Sequence, residues 1–416
     1  MFMVKLHRHK SFAALRYPEF RIYILARFFF IMVLTMQATL ISWEVFAITK
    51  DPFSIGLIGL VEFLPAVVMA IYSGYIIDKS DKKKLLHYSL AGNLLLTILF
   101  AYITSKHALE TYSKPVILTF IYTIAFLTGI ARAFSGPTSF ALVSMLVPKQ
   151  KIPNATSWHS SSWQIAAVSG PAVGGLLYGE KGITFAFIIM IIMLAFSVAV
   201  LFFIKPKPPL VTLTREPMLK SIQQGFKFVW QSKEILGVLS LDLFAVFFGG
   251  ATALLPYFSD QILKTGPEGL GILRSAPGIG AILVMLVINF LPMKRNQGKT
   301  MLFCVAGFGI TMVIFGLSTL FWISFAALLL SGILDGISVI VRSTVLQLKT
   351  PENMKGRVSS LNSIFIISSN ELGAFESGFA SRLMGVVPSV VFGGVMTIGI
   401  VVYNWVKNPT IKKLSY

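Results

Sequence analysis

The sequence predicts an all-α integral membrane protein with twelve transmembrane helices, folded as two six-helix bundles related by a pseudo-two-fold axis. Three observations carry this. Of 416 residues, 55% are hydrophobic and only 13% charged, about half the charged share that a soluble chain uses to cover its surface. Twelve stretches are long and apolar enough to cross a bilayer, which takes roughly 20 residues each. The first six stretches and the last six match one another at corresponding positions.

The first 21 residues are basic and partly polar. They lack the short apolar core and small-residue cleavage site of a secretory signal, so the first span, 20–48, is expected to be retained. The next spans are 53–77, 85–104, 115–146, 155–179 and 183–204. A longer polar stretch then begins at Lys205-Pro-Lys-Pro-Pro. After it come 235–262, 268–292, 300–318, 321–347, 356–383 and 387–406. None of these shows the ten-residue alternation of a barrel strand, and only a helix otherwise satisfies its own backbone in lipid. The expected organisation is a first bundle over 1–204, a cytoplasmic linker over 205–234 and a second bundle over 235–416. Within the linker, 217–231 is expected to form an amphipathic helix at headgroup level, with Trp230 as anchor.

Basic residues orient the chain. Of 36 lysines and arginines, 26 fall in the tails and in the turns after even-numbered spans, six in the turns after odd-numbered spans and four inside spans. The excess places both termini in the cytoplasm. The net charge of +19 is therefore a topology signal. No basic soluble domain exists to bind nucleic acid. The single cysteine, Cys304, excludes an intramolecular disulfide.

The halves align under two shifts. A shift of 203 residues pairs Gly129 with Gly332, Pro148 with Pro351, Gly170 with Gly373 and Gly175 with Gly378. A shift of 215 pairs Pro52 with Pro267, Gly56 with Gly271 and Lys84 with Lys299. Ordered matches at the ends of elements point to a duplication, with the halves related by an axis along the membrane normal.

Between the second and third spans the chain reads GYIIDKSDKKKLL. Gly74, Asp78, Lys79, Lys82, Lys83 and Lys84 follow the pattern of a Gly, three residues, an Asp, a basic residue, any residue, a Gly, then two or three basic residues. Asp81 stands where the second Gly would be, and Asp tolerates a left-handed turn better than most residues. In the fifth span, Gly170, Pro171, Gly174 and Gly175 form a Gly-Pro-x-x-Gly-Gly stretch. Small residues four apart let helices approach closely, and Pro171 bends its helix. With Pro137–Pro148, Asn154-Ala155 and the Gly225-Phe-Lys-Phe-Val stretch, the chain resembles the major facilitator superfamily from Arg16 to about Val406. Within it, the resemblance is to the exporter subgroup of the enterobactin exporter and macrolide efflux pumps. The resemblance implies alternating access around a midplane cavity lined by spans 1, 4, 7 and 10. It also implies a conformational latch at Gly74, Asp78, Lys79, Lys82 and Lys83. There Gly74 admits a neighbouring helix, Asp78 faces the start of a helix of the second bundle, and the lysines meet acids or lipid phosphates.

Ionisable residues at membrane depth are costly and point to function. Asp335, Glu62 and Glu371 are the candidates for proton coupling, in that order, because a buried carboxyl can bind and release a proton near neutral pH. Arg132, Gln37, Asp242, Arg342 and Glu44 are the candidates for the substrate cavity. Gln37 and Glu44, and likewise Asp335 and Arg342, are seven apart and share a helix face. Arg132 and Asp335 occupy matching repeat positions and are expected to pair or to face one another as opposite walls. Arg27 is expected to snorkel toward the cytoplasmic edge, and His159 to be a capping or interfacial residue. Arg274 and Glu376 are gate candidates.

No phosphate-binding loop is present, so ATP is not the expected driving force. No metal-ligand cluster and no catalytic constellation stand out, so neither an enzyme nor a cofactor is expected. The expected function is export of an amphipathic small molecule, a drug-like compound or a siderophore, against proton entry. A monomer in a bacterial inner membrane is the expected setting. Uptake of a nutrient or iron complex, or a lipid flippase or scramblase, are the alternatives.

Overall fold

The computed structural model describes residues 10–207, 218–288, 296–351, 354–412 and 414. Among these residues every regular element is helical. Two short 3-10 turns lead into α1 (Pro18–Thr49), α2 (Pro52–Lys79), α3 (Lys82–Ile103), α4 (Lys114–Leu146) and α5 (Ile152–Val200). α6 (Met218–Gln231) lies in the long loop. α7 (Lys233–Gly249), α8 (Gly266–Ile288), α9 (Gln297–Leu317), α10 (Phe321–Lys349), α11 (Lys355–Met384) and α12 (Val386–Lys407) follow.

Ten stretches among the described residues are long and apolar enough to cross a membrane. One of them, Lys149–Phe203, runs for 55 residues and holds the fifth and sixth predicted spans. They join without a loop inside α5, which breaks at Gly182 (φ 82°, ψ 170°). That conformation is essentially open to glycine alone, so the chain changes direction there. α11 has the length to span but too many polar residues to count among the ten.

Asp81 departs from its expected left-handed turn. Its backbone is extended (φ −63°, ψ 118°), and its side chain caps α3 by accepting the Lys84 N–H at 3.0 Å. Short polar side chains at this position satisfy a donor that the first helical turn leaves open. Asp51 does the same for α2, accepting from the Phe53 N–H at 3.0 Å.

The chain forms two compact units. The first comprises 1–44 and 61–213, the second 45–60 and 214–416. The long loop is thus not the only seam: residues 45–60, the end of α1 and the start of α2, pack with the second unit. There Phe46 and Ile55 share a core with Ala253, and Phe53 meets the rings of Phe375 and Phe379. A Cβ at Gly56 would lie 2.9 Å from the Ala374 carbonyl oxygen. Lys50 reaches Asp260 at 3.1 Å.

The helix crossings inside the two units repeat one another. A Cβ at Gly129 (α4) would fall 2.2 Å from the Glu62 carbonyl oxygen (α2), and one at Gly332 (α10) 1.9 Å from that of Pro277 (α8). Likewise Gly170 (α5) abuts the Met32 carbonyl (α1), and Gly373 (α11) that of Phe247 (α7). These partners are related by the same 203- and 215-residue shifts. The core of the second unit includes Val238, Leu241, Met301, Val305, Val341 and Val401. In the first unit Phe20, Met36, Leu40, Ile121 and Phe187 are fully buried.

Candidate functional site

In the second unit, α7, α9 and α10 meet around buried charge. Asp242 and Arg342 form an ion pair in which both side chains are almost completely buried. Neither would be stable alone, because an isolated buried charge costs several kcal/mol. Next to the pair is a small cavity lined by Asp242, Val246, Cys304, Phe308, Asp335 and Ser338 among others. Helical spacing brings Asp335, Ser338 and Arg342 to one side of α10. Two polar atoms here are buried without a hydrogen-bond partner, the Ser338 hydroxyl and Arg342 Nε. No hydrogen bond or ion pair to the Asp335 carboxyl is found among the described residues. The site therefore holds two acids, one guanidinium and two spare donors around a void. Such groups accommodate a proton, a water molecule or a polar part of a ligand.

The first unit arranges its polar residues differently. Glu62 pairs with Arg132 at 2.8 Å across the α2–α4 crossing, at the point where Gly129 lets the helices touch. Arg132 and Asp335, which occupy matching repeat positions, fall in different units. Gln37 accepts from the Thr97 hydroxyl at 2.9 Å, tying α1 to α3. Glu44 accepts from Tyr178 at 3.0 Å, tying α1 to α5. Both residues are buried, so here they serve as bonds between helices. Gly170 and Gly174 seat α1 through Thr35 and Met36, beside Pro171, while Gly175 is buried. Glu371 sits on α11 against Gly59, where a Cβ would lie 3.1 Å from its carboxylate oxygen.

At the start of α3, Lys82 is buried. Its ammonium donates to the Ile77 carbonyl and, at 3.0 Å, to that of Ser80, capping the end of α2. A cation there also opposes the negative end of the helix dipole. Lys83 lies over the Phe202 ring at 5.4 Å. Gly74 is half-buried and Lys79 exposed on α2, while the side chain of Asp78 lies outside the described residues.

One cluster was not anticipated. Tyr23 is fully buried. Its hydroxyl donates to the Ser139 carbonyl at 2.8 Å and meets Ser139 Oγ at 2.7 Å and His159 Nδ1 at 2.9 Å. Arg27 donates to the His159 carbonyl at 2.7 Å. The expected interfacial His159 is thus a buried bond partner, and the expected snorkelling Arg27 ties α1 to α5. The hint in the sequence was the polar run from Trp158 to Gln164. Its partners sit on other helices, so spacing within the run could not identify them.

The chain matches the transmembrane secretion effector family over residues 9–415. It is 24% identical over 386 residues to the enterobactin exporter EntS of Shigella boydii serotype 18, covering 91% of this chain and 89% of that protein. Identity to the enterobactin exporter EntS of Escherichia coli O139:H28 is the same. Among solved structures, a POT family transporter superposes with a TM-score of 0.74 at 11% identity, covering 95% of this chain and 96% of that one. A D-xylose-proton symporter gives 0.70 at 12%, covering 95% and 99%. These distant likenesses show the fold, a major facilitator fold, which the repeated helix crossings of the two units already display. The chain is a multi-pass membrane transporter rather than an enzyme, and it belongs to the transmembrane secretion effector family of the major facilitator superfamily.

Proposed function

We propose that the protein exports an amphipathic small molecule, drug-like or siderophore in class, in exchange for protons. It works by alternating access in a bacterial inner membrane, with both termini in the cytoplasm. The observation that carries the coupling is the Asp335 site. With both acids ionised, the cavity beside the Asp242–Arg342 pair holds one negative charge in excess. Burial penalises that excess, and a proton on Asp335 removes it. Reopening to water, or arrival of a substrate donor at the same acid, favours release. Proton entry thereby alternates with substrate exit. Glu62, held by Arg132, and Glu371 rank below Asp335 because each already packs against a neighbour. The similarity to enterobactin exporters supports outward transport of a siderophore-class cargo.

The experiment uses everted vesicles and proteoliposomes with an imposed pH gradient, screened against antibiotics, dyes and iron-chelator supernatants. Export predicts uptake into everted vesicles that collapses with an uncoupler, and flux of the opposite sign would establish uptake instead. Asp335→Asn is expected to abolish pH-driven counterflow while sparing substrate exchange. Unchanged pH-driven transport in that variant would remove Asp335 as the proton site.

A further inference from the structure

Helix α6 presents three distinct sectors. Taken around the helix at roughly 100° per residue, Gly225 and Val229 form one sector and are buried. Gly225 abuts Arg357 and Leu361 of α11, and Val229 shares a core with Ile235, Val358 and Leu361. Phe226 and Trp230 form the next sector. Their rings stack at 5.8 Å, yet they are 48% and 65% exposed. Gln223, Lys227 and Gln231 form the third and are exposed. A helix lying between protein and water alone would need only the first and third sectors.

Position and charge identify what meets the second. α6 ends at Gln231 and α7 begins at Lys233, the first residue of a membrane-crossing stretch. Trp230 is therefore within a turn of where the chain enters the bilayer, at the depth where Trp is enriched. From Lys205 to Lys233 the chain has six basic residues and one acid, Glu216. The next acid, Glu234, is paired with Lys349 at 2.9 Å. The segment thus carries a net positive charge, and the cytoplasmic headgroups include anionic lipids.

We propose that Phe226 and Trp230 are a docking surface for the anionic bilayer, and that the seated α6 holds the cytoplasmic end of α11 in place through Gly225 and Val229. Anionic phospholipid is in this sense a regulatory ligand of the transporter. The three sectors give α6 a separate face for protein, for lipid and for water.

The test uses the full chain in bilayers of neutral phosphatidylcholine, with or without phosphatidylglycerol. Trp230 is kept as the sole tryptophan by replacing Trp43, Trp158, Trp163, Trp322 and Trp405 with Phe. Lipid seating predicts strong quenching of Trp230 by brominated phosphatidylcholine and weak quenching by aqueous acrylamide. Phosphatidylglycerol should lower acrylamide access further. Lys227→Glu should weaken that protection at least roughly fivefold, the weight of a basic residue at an anionic surface. Strong acrylamide quenching without lipid quenching would overturn the proposal, as would protection from both, which would mean a protein covers the face. Hydrogen exchange in the otherwise native chain reads the second step. Amides around Val358 to Leu361 should be more protected in anionic than in neutral bilayers, and Phe226→Ser with Trp230→Ser should erase the difference. A difference that persists in that variant would refute the coupling. Should the single-tryptophan chain fail to assemble, a bilayer-sensitive dye at Phe226→Cys in the native background reports the same depth, since Cys304 is buried.

Discussion

Replacing Asp242 with Asn strips Arg342 of its partner while leaving its charge in place. Arg342 is 3% exposed, so bulk water cannot take over, and Arg342 Nε already has no hydrogen-bond partner. Breaking a buried pair from one side costs about 3–5 kcal/mol. For a unit of this size, each kcal/mol moves the melting midpoint by roughly 2–4 °C, so a loss of roughly 6–20 °C is expected. The lower end applies if Asp335, in the same cavity, moves to the orphaned guanidinium. The double replacement Asp242→Leu with Arg342→Met removes both charges and keeps similar volume. Such exchanges are often neutral or stabilising by about 1–4 kcal/mol, so the double variant should melt at or above the native midpoint. Its pH-driven transport should still be lost. Thermal unfolding of detergent-purified protein reads the stability, and pH-driven uptake in everted vesicles reads the coupling. Native stability in Asp242→Asn would refute the buried pair. Full pH-driven transport in the stable double variant would refute its part in coupling.

Gly129→Ala and Gly332→Ala should each lower the melting midpoint, with an overpacking cost of about 1–3 kcal/mol or more, because each Cβ would sit near 2 Å from a carbonyl oxygen. Gly136→Ala, with nothing within 4 Å, should instead be neutral or raise it by up to about 1 kcal/mol. Tyr23→Phe should cost about 1–3 kcal/mol by leaving a buried partner unsatisfied, measured by the same melt. Asp81→Ala should lose about 0.5–2 kcal/mol of helix capping, whereas Asp81→Asn should lose almost none. A large transport defect in Asp81→Asn would show that the charge has a use beyond the cap. Lys50→Ala should change stability by less than about 1 kcal/mol, since Lys50 is 60% exposed in its pair with Asp260.

Much of the fold was legible because hydropathy acts over twenty residues at a time. The duplication was legible because glycines that carry close helix crossings, Gly129 with Gly332 and Gly170 with Gly373, stayed in register. The union of the fifth and sixth spans was not, because Glu180 and Lys181 read as a loop and only the conformation of Gly182 shows the helix resuming at once. For the site, spacing placed Asp335 and Arg342 on one face of α10 but could not say that Asp242 would take the guanidinium. Gln37 and Glu44 share a face of α1 as expected. Their partners, Thr97 and Tyr178, belong to other helices, and nothing local names them. The bond partner of His159 was hidden for the same reason: Tyr23 lies on α1, more than a hundred residues away.

The hairpin of residues 45–60 bears on how this chain can be taken apart. A gene cut at the long loop would yield a second fragment missing a native piece of its own core. Gly378, Ala374 and Phe375 would then face a gap where Gly56 and Phe53 belong. Supplying 45–60 as a separate peptide, or fusing it to the second fragment, should help that fragment assemble.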